Sequence, residues 1–332
     1  MPIPSRTRGA GVRSTFTAAV VVAFGMVGSV VQAAPVPVPA SVPGTSCSVF
    51  PADNVWNMNI SALPVNAKSK MWKRSAHAGT TFLHPDFGPP NYGIPHDVVD
   101  GSTHPFTAVK FQYKGESDPG PYPFDAATHV EGGSDRHALM IDSNDCMLYE
   151  LYHAQWNGGA PTAGSGAVFD LTSNSLRPAG WTSADAAGLP IFPGLVRWDE
   201  VQAGHIDHAI RFTVGCTTTS YIWPARHQAG VSNIRCPPMG ARFRLRAGFD
   251  LSGFSADARV ILVAMQHYGL IVADNGSDWY FQGTVDPGWT NGFLDQLKTV
   301  RAKAFVAVNE SGCQVGANSG AFAYGVGCPG PP

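Results

Sequence analysis

The sequence has few charged residues for a soluble chain. They make up 14% of its 332 residues, about half of the roughly 25% that is average. No apolar run reaches the roughly 20 residues that span a bilayer. With 37 Gly and 27 Pro the chain is also interrupted too often for a coiled coil or a helical repeat array. Lys and Arg total 22 against 24 Asp and Glu, so no basic excess supports binding to nucleic acid.

Several catalytic sequence motifs are missing. The chain has no GxSxG elbow of an α/β-hydrolase, and it has no GxxxxGK[ST] phosphate loop and no HExxH helix. It also has no CxxC pair, which a zinc ribbon or a thioredoxin-type redox site needs. We therefore predict no cofactor and assign no metal site.

Residues 1–33 have the pattern of a secretory signal peptide. Three arginines within the first 13 residues precede an apolar stretch over 18–31, and small residues flank Gln32 just before Ala34. A membrane anchor is the alternative, but the apolar core is only about 14 residues long, short of a bilayer span. We expect cleavage near Ala34 and a secreted, extracellular protein. The mature chain then has 19 basic residues against 24 acidic ones, a charge near −5.

All six cysteines follow that cleavage position. They are Cys47, Cys146, Cys216, Cys236, Cys313 and Cys328. An even count in an exported chain indicates disulfides. Short loops favour pairing 216 with 236 and 313 with 328, which leaves 47 with 146. Other connectivities stay open, as does a buried free thiol at 146.

Composition divides the mature chain into three parts. Residues 34–45 alternate Ala, Val and Pro and form an extended spacer. Residues 46–311 have no internal repeat or low-complexity break, which indicates one β-rich domain with either a single core or two lobes. Residues 312–332 form a Gly/Pro-rich tail, interpreted as a disulfide-closed loop or a frayed appendage.

Short strand-like runs dominate the domain. They lie at 108–113, 138–141, 147–152, 208–214, 221–223, 241–249 and 270–273. Residues 143–145 (SND) separate two of these runs and predict a hairpin. The alternation of apolar and charged residues that is typical of a strand is clearest around Phe243 and Leu245. These two side chains would face the core, while Arg242, Arg244 and Arg246 face solvent.

Two segments have a helical pattern. Ser255 caps a predicted helix over 256–268, whose apolar stripe includes Val260, Ile261 and Met265 and which ends at Gly269. A weaker helix is predicted over 292–300. The expected fold is mainly β, of the sandwich or jelly-roll kind, with one or two helices packed on it.

Five stretches of the domain resemble a widespread group of exported bacterial proteins. They are 50–57 (FPADNVWN), 116–123 (ESDPGPYP), 180–190 (GWTSADAAGLP), 194–200 (GLVRWDE) and 273–280 (ADNGSDWY). The resemblance covers nearly the whole mature domain. Because the function of that group is uncharacterised, the resemblance implies no activity and no catalytic residue.

Carboxylates and tryptophans alternate in one segment. They are Asp170, Trp181, Asp185, Trp198, Asp199 and Glu200. Glycoside hydrolysis needs two carboxylates about 5–10 Å apart. Asp185 stands among small and apolar residues, an environment that would raise its pKa for a general acid, with Asp199 or Glu200 as the ionised partner. Trp181 would be a sugar platform. The alternative is that Asp185 braces a turn through backbone amides.

Basic and histidine residues offer a second chemistry. Arg226 and His227 would line the same cleft, and in a polysaccharide lyase they would neutralise the uronate and abstract the proton beside it. His205 and His208 stand three apart, but no local spacing supplies a third zinc ligand. On a strand His208 and Arg211 point to opposite faces, with His208 on the buried one.

Residues 274–280 (DNGSDWY) carry several oxygen ligands that calcium would accept. Their spacing does not match the twelve-residue calcium loop, and Asp-Asn-Gly is a common tight turn. We therefore predict a hairpin from Leu270 to Gln282.

Two functions follow from these features. The first is a secreted, monomeric glycan-cleaving enzyme, a polysaccharide hydrolase or lyase, that uses paired carboxylates. The second is a secreted carbohydrate-binding or cell-surface module without catalysis. The domain is larger than a lone binding module needs, which favours the enzyme. A Cys/His peptidase or amidase would require a free cysteine, which the even count argues against.

Overall fold

The computed structural model describes residues 40–331, together with residues 1, 2, 4, 9 and 11. The chain divides into two units, Met1–Ala33 and Ala34–Pro332. The predicted signal peptide and residues 34–39 of the spacer lie outside the described residues, so both stay predictions. Everything below concerns the second unit.

The described part of the chain forms twelve β-strands and four α-helices. The strands are β1 (His84–Pro85), β2 (His96–Val99), β3 (Lys110–Phe111), β4 (Ala138–Asp142), β5 (Met147–Tyr152), β6 (Thr162–Ala163), β7 (Ser165–Asp170), β8 (Ile210–Val214), β9 (Arg242–Leu245), β10 (Leu270–Asn275), β11 (Tyr280–Phe281) and β12 (Phe305–Ala307). The helices are α1 (Ser69–Ser75), α2 (Trp198–Ala203), α3 (Ala256–His267) and α4 (Asn291–Leu297). The fold is mainly β with few helices, as predicted.

The strands form three mixed or parallel sheets. The largest has the order β1-β11-β8-β10-β9-β12, the second has the order β2-β4-β5-β7, and β3 pairs with β6. In the large sheet β10 lies parallel to β8 and antiparallel to β9. Most of the buried apolar side chains form one continuous core, and a smaller cluster that includes Tyr122 and Phe124 packs on the second sheet.

The β4/β5 hairpin is confirmed. Ala138 pairs with Leu151 and Asp142 with Met147 in an antiparallel ladder. The turn contains Cys146 with a positive φ of 53°. Its tight geometry is held by Asp142, whose carboxylate accepts the backbone N–H of Asn144 at 2.9 Å.

The predicted hairpin from Leu270 to Gln282 is wrong. Strands β10 and β11 do not pair with each other, because β8 lies between them and pairs with both. The connecting residues contact the end of β8 instead, where Asp278 accepts the N–H of Gly215 at 2.8 Å and Gly276 donates to the carbonyl of Val214.

The alternation along β9 is only partly as predicted. Phe243 and Leu245 are fully buried, but Arg242 is 1% exposed rather than solvent-facing. Its guanidinium forms an ion pair with Glu310 at 2.8 Å and donates to backbone carbonyls, among them that of Tyr268. The carbonyls of Val55 and Met58 also accept from this guanidinium, so residues 55–58 cover this face of β9, and Glu310 neutralises the buried charge.

Helix α3 begins and ends where the sequence predicts. The Ser255 side chain accepts the N–H of Ala258, and the chain leaves the helix at Gly269 with φ 73°. Ile261 and Met265 are 0% exposed, while Val260 is half-buried. No helix among the described residues is both long and apolar enough to cross a membrane.

We expect Ile261→Asp to unfold the domain or to weaken it severely. Burial of a large aliphatic side chain contributes about 1.5–3 kcal/mol, and an unpaired carboxylate in its place adds a desolvation penalty. Val263→Asp is the matched control, because Val263 lies on the same helix and is 38% exposed. Thermal melting followed by circular dichroism measures both variants. Equal melting temperatures for wild type and Ile261→Asp would refute the packing described here.

Three disulfides link the cysteines in the pairs favoured by the sequence. Cys47 is bonded to Cys146, Cys216 to Cys236, and Cys313 to Cys328, and no free cysteine remains among the described residues. Such a set is typical of extracellular proteins. The third bond closes the Gly/Pro-rich tail, which packs on the domain through Phe322, 8% exposed.

Alkylation of the unfolded, unreduced protein should label no cysteine, and prior reduction should expose all six for labelling. Intact-mass measurement distinguishes the two states. Labelling of two thiols before reduction would show that one bond is absent in solution, and the peptidase hypothesis would then regain support.

Candidate active-site cleft

A cleft of about 470 Å³ lies where the two main sheets and several long loops meet. We name it the Asp274 cleft. Its walls are formed by Tyr113, Glu116, Asp135, Tyr152, Ser165, Thr182, Ser183, Ala184, Asp185, Ala186, His227, Ala229, Asp274 and Asn275. Carboxylates, hydroxyls and tyrosine rings dominate this lining, which suits a polar ligand better than an apolar one.

Strand ends and one pinned loop position these groups. Asp274 and Asn275 end β10, and Tyr152 ends β5 opposite Ser165 at the start of β7. The Ser165 hydroxyl donates to the carbonyl of Ser183 at 2.6 Å, which fixes the loop 182–186 against that strand. A cleft built in this way keeps its shape without a ligand.

Asp185 is 0% exposed and forms a bidentate ion pair with Arg211. The Nε and one terminal nitrogen of the guanidinium donate to its two oxygens, both at 2.8 Å. The third nitrogen donates to Gln282 at 2.6 Å. Charge-assisted bonds of this kind are stronger than those between neutral groups, and they engage both oxygens of Asp185. The environment of Asp185 is therefore not the purely apolar one expected from the sequence, because Arg211 comes from the middle of β8.

A second buried pair lies behind the same wall. His137 donates from Nδ1 to Glu131 at 2.6 Å and from Nε2 to the carbonyl of Ala184 at 3.2 Å. Burial lowers the pKa of His137, but the hydrogen bond and charge of Glu131 outweigh it, and the pKa is raised overall. The imidazolium is therefore favoured, with both nitrogens donating.

Glu150 adds a third buried acid. It is 0% exposed, and its oxygens accept the N–H groups of Ile191 and Phe192 at 2.8–2.9 Å. Burial raises its pKa to about 7, against the backbone hydrogen bonds that lower it. The charge of nearby Asp185 raises the pKa of Glu150 further.

Asp274 is the acid that combines an unusual pKa with access to the cleft. Burial and the charge of Asp185 raise its pKa to about 7, although Arg211 opposes the shift. Its side chain is half-buried and accepts only the adjacent N–H of Asn275, at 2.6 Å, among the described contacts. A carboxyl group with a pKa near neutrality on a cleft wall is suited to general acid catalysis.

Glu116 provides a more exposed carboxylate in the same cleft. Its side chain is 41% exposed and lies 3.7 Å from Nε2 of His227, whose Nδ1 donates to the carbonyl of Ala186 at 2.8 Å. The backbone N–H of Thr182 also donates to Glu116, at 3.3 Å. Besides the buried Asp185, the cleft thus contains one carboxyl group with a pKa near neutrality, that of Asp274, and two acids open to solvent, Glu116 and Asp135.

Asp199 and Glu200 line a different cavity, of about 350 Å³, with residues 40–45. Glu200 is 7% exposed and binds Arg197 at 2.7 Å and His208 at 3.1 Å. Burial raises the pKa of Glu200, but the charge of Arg197 and the interactions with His208 outweigh it and lower the pKa overall, while burial raises the pKa of Asp199. The structure does not bring this pair into the cleft with Asp185.

Of the predicted ligand-binding residues, only His227 lines the Asp274 cleft. Arg226 is 7% exposed, and its donors are engaged by the carbonyls of Arg177 and Ala317 and by Asn318, at 2.6–2.8 Å. It therefore anchors the C-terminal tail. Trp181 is half-buried, and the guanidinium of Arg177 lies 5.7 Å from its ring centroid.

His205 and His208 lie in different environments. His205 is exposed and contacts Asp207 at 2.9 Å, whereas His208 is buried against Glu200, as its position on an apolar face predicts. Within residues 40–331 no group of three or more His, Cys, Asp or Glu is arranged to hold a metal ion.

Comparison of the chain with protein-family models, with curated proteins and with solved structures found no match. The argument for function therefore rests on the cleft itself.

The sequence does not indicate a catalytic or sugar-binding role for four cleft residues, Tyr113, Glu116, Tyr152 and Asp274. Its pattern at Asp274 predicts a turn or a calcium ligand, although Asp274 directly follows an apolar run in the sheet. Strand ends are a frequent place for site residues in sheets, and that position was the available signal. Glu116 gave no local signal, because its proximity to Asp274 depends on two loops far apart in sequence.

Proposed function

We propose that this protein is a secreted hydrolase that cleaves a glycan in the Asp274 cleft. Asp274 acts as the general acid, and Glu116 is the carboxylate that activates water or attacks the sugar. The observation that carries the proposal is the presence of these two carboxyl groups, in different environments, on the walls of one polar cleft. This pair replaces the one proposed from sequence, since Asp185 and Glu200 are each bound to an arginine.

The chemistry needs one protonated and one ionised carboxyl group. Asp274 transfers its proton to the glycosidic oxygen as the bond from that oxygen to the anomeric carbon breaks. Water then adds to the anomeric carbon, and in direct attack its proton passes to Glu116. If Glu116 has first formed a covalent glycosyl ester, the water proton passes to the deprotonated Asp274 as the ester bond breaks and Glu116 leaves as the carboxylate. Burial and then the charge of Asp185 keep the proton on Asp274 near neutral pH, against the opposing charge of Arg211.

The surroundings of the cleft fit a sugar. Tyr113 is 48% exposed and Tyr152 is half-buried, so both rings can contact the apolar face of a pyranose while their hydroxyls stay hydrated. Three disulfides are typical of proteins that work outside the cell, where polysaccharides are found. The predicted signal peptide agrees with that location.

A lyase receives less support than a hydrolase. Elimination beside a uronate carboxylate needs a cation at that carboxylate, and Arg226 was the sequence candidate. Its guanidinium is already bound by three oxygen acceptors. Arg211 is likewise bound to Asp185 and Gln282.

A binding module without catalysis is the second candidate. The exposed ring of Tyr113 favours it, because stacking on a sugar needs no acid or base. In that case the carboxyl groups of the cleft would only accept hydrogen bonds from sugar hydroxyls.

The test is a screen of the purified mature domain against a panel of neutral and acidic polysaccharides. Reducing ends and absorbance of unsaturated uronates are read together. New reducing ends without that absorbance are expected for the hydrolase, and both signals together would indicate a lyase. Binding of a glycan without either signal would replace the hydrolase by the binding module, and no binding at all would refute both.

A further inference from the structure

A second cavity, of about 730 Å³, is lined by cations and has no acidic residue in its wall. We name it the basic cavity. Its lining consists of Lys73, Arg246, Phe249, Thr299, Arg301, Lys303 and Ala304. Four positive charges thus face one space on a protein whose formal net charge is −2.

These cations are held in place by the fold rather than by acidic partners. The Lys73 ammonium donates to the carbonyls of Lys303 and Phe305, at 2.8 and 2.5 Å, which links α1 to β12. The Arg301 guanidinium lies 4.8 Å from the ring centroid of Phe82. Among the described residues no carboxylate forms an ion pair with Lys73, Arg246, Arg301 or Lys303.

The unneutralised charges influence one another. Burial and the nearby charge of Arg246 lower the pKa of Lys73. A cluster of like charges without counter-charges produces a positive potential that raises the local concentration of anions. An anionic ligand would relieve this repulsion and would find Arg246 and Lys303 exposed.

The basic cavity and the Asp274 cleft lie toward opposite ends of the same sheet. Leu270, at the start of β10, pairs with Phe243 of the antiparallel β9. Arg246 lies three residues beyond Phe243 in the chain direction of β9. Asp274 lies four residues beyond Leu270 in the chain direction of β10, which is the opposite direction because the two strands are antiparallel. At about 3.3 Å per residue the two sites are roughly 20 Å apart. One extended polymer can reach both, whereas a small anion in one cannot touch the other.

We propose that the basic cavity binds the carboxylate or sulfate groups of an acidic polysaccharide. Phe249 in the cavity wall and Phe82 beneath Arg301 offer apolar surface to sugar rings beside the cations. Aromatic rings beside cations suit an anionic glycan, whose sugar rings have apolar faces, better than an anionic surface that lacks sugar rings. The proposal does not depend on catalysis in the Asp274 cleft.

Titration calorimetry with polygalacturonate and with dextran sulfate tests the proposal, with neutral dextran as the uncharged probe. The full mature domain is used in an Asp274→Asn background, so that hydrolysis cannot alter the polymer during the titration. The double variant Arg246→Ala/Lys303→Ala removes two cavity charges. The control Lys70→Ala/Lys110→Ala removes two exposed charges that do not line the cavity.

We expect the cavity variant to bind at least one of the acidic glycans about tenfold or more weakly than its parent, and the control to change affinity little. The affinity should also fall as salt is raised, because exposed charges are screened. Melting temperatures of both variants report whether either has lost its fold.

Three results would overturn the proposal. The first is no binding of either acidic glycan, and the second is an equal loss in the cavity and control variants. The third is equally tight binding of single-stranded DNA at the same residues, which would show a site that recognises charge alone. Loss of hydrolysis in the cleft leaves these readouts unchanged, so the two proposals can fail separately.

Discussion

Asp185→Ala is expected to destabilise the domain by about 3–5 kcal/mol, the usual loss when one partner of a buried ion pair is removed. The change leaves the guanidinium of Arg211, 3% exposed, without its two carboxylate acceptors. Gln282 remains as an acceptor but carries no charge. Chemical denaturation, with the free energy of unfolding extrapolated to water, measures the effect.

Two comparisons make that result specific. The double variant Asp185→Leu/Arg211→Met should recover much of the loss, because two apolar side chains of similar size leave no buried charge. Lys298→Ala breaks the exposed pair with Asp295 and should change stability by less than about 1 kcal/mol. If Asp185→Ala were as mild as Lys298→Ala, the buried pair would not contribute to stability as described.

Asp274→Asn is expected to reduce turnover of the cleaved glycan by at least about 100-fold, since the amide cannot transfer the proton to the leaving oxygen. The fold should survive, because the Asp274 carboxylate accepts only a local backbone N–H and an amide oxygen can do the same. Asp295→Asn, a change of the same type at an exposed acid, is the control. Full activity of Asp274→Asn would remove Asp274 from the mechanism and leave the cleft without its general acid.

The pH profile gives an independent test of the same role. The folded pKa of Asp274 is about 7, raised above its ordinary value of 3.8 by burial first and then by the charge of Asp185. A general acid works while protonated, so the rate should be sustained below about pH 7 and should fall as pH rises through that value. The same shift makes Asp274 bind a proton more readily in the folded state than in the unfolded one. Its contribution to stability is therefore present below the unfolded pKa and is lost as pH rises to about 7.

Several features could be predicted because they depend on neighbours in sequence. Helix α3 follows from a serine cap, an apolar stripe and a terminal glycine, all within fifteen residues of one another. The β4/β5 hairpin follows from a polar turn between two apolar runs. The disulfide pairs follow from two short loops and the two cysteines left over. A mainly β fold is the sum of such local patterns.

Buried charges could not be predicted in the same way. The alternation of apolar and charged residues along β9 predicts that Arg242 faces solvent. Arg242 is buried instead, because Glu310, 68 positions away in sequence, neutralises its charge. Asp185 is the same case, since Arg211 is 26 positions away on β8. A sequence pattern assigns each residue to a face, but it does not reveal which charge from elsewhere will neutralise it.

The sequence by itself determined the class of fold and the presence of carboxylates and aromatic residues from which a sugar-cleaving site could be built, and it favoured the disulfide pairs that the structure contains. Only the tertiary structure decided which of those carboxylates share a cleft. Strand β8 inserts between β10 and β11 and carries Arg211 to Asp185. Burial raises the pKa of Asp274, the charge of Asp185 raises it further, and Arg211 opposes both. The physical reason is that a pKa depends on burial and on charges within a few ångströms, and those distances are set by chain segments that are far apart in sequence.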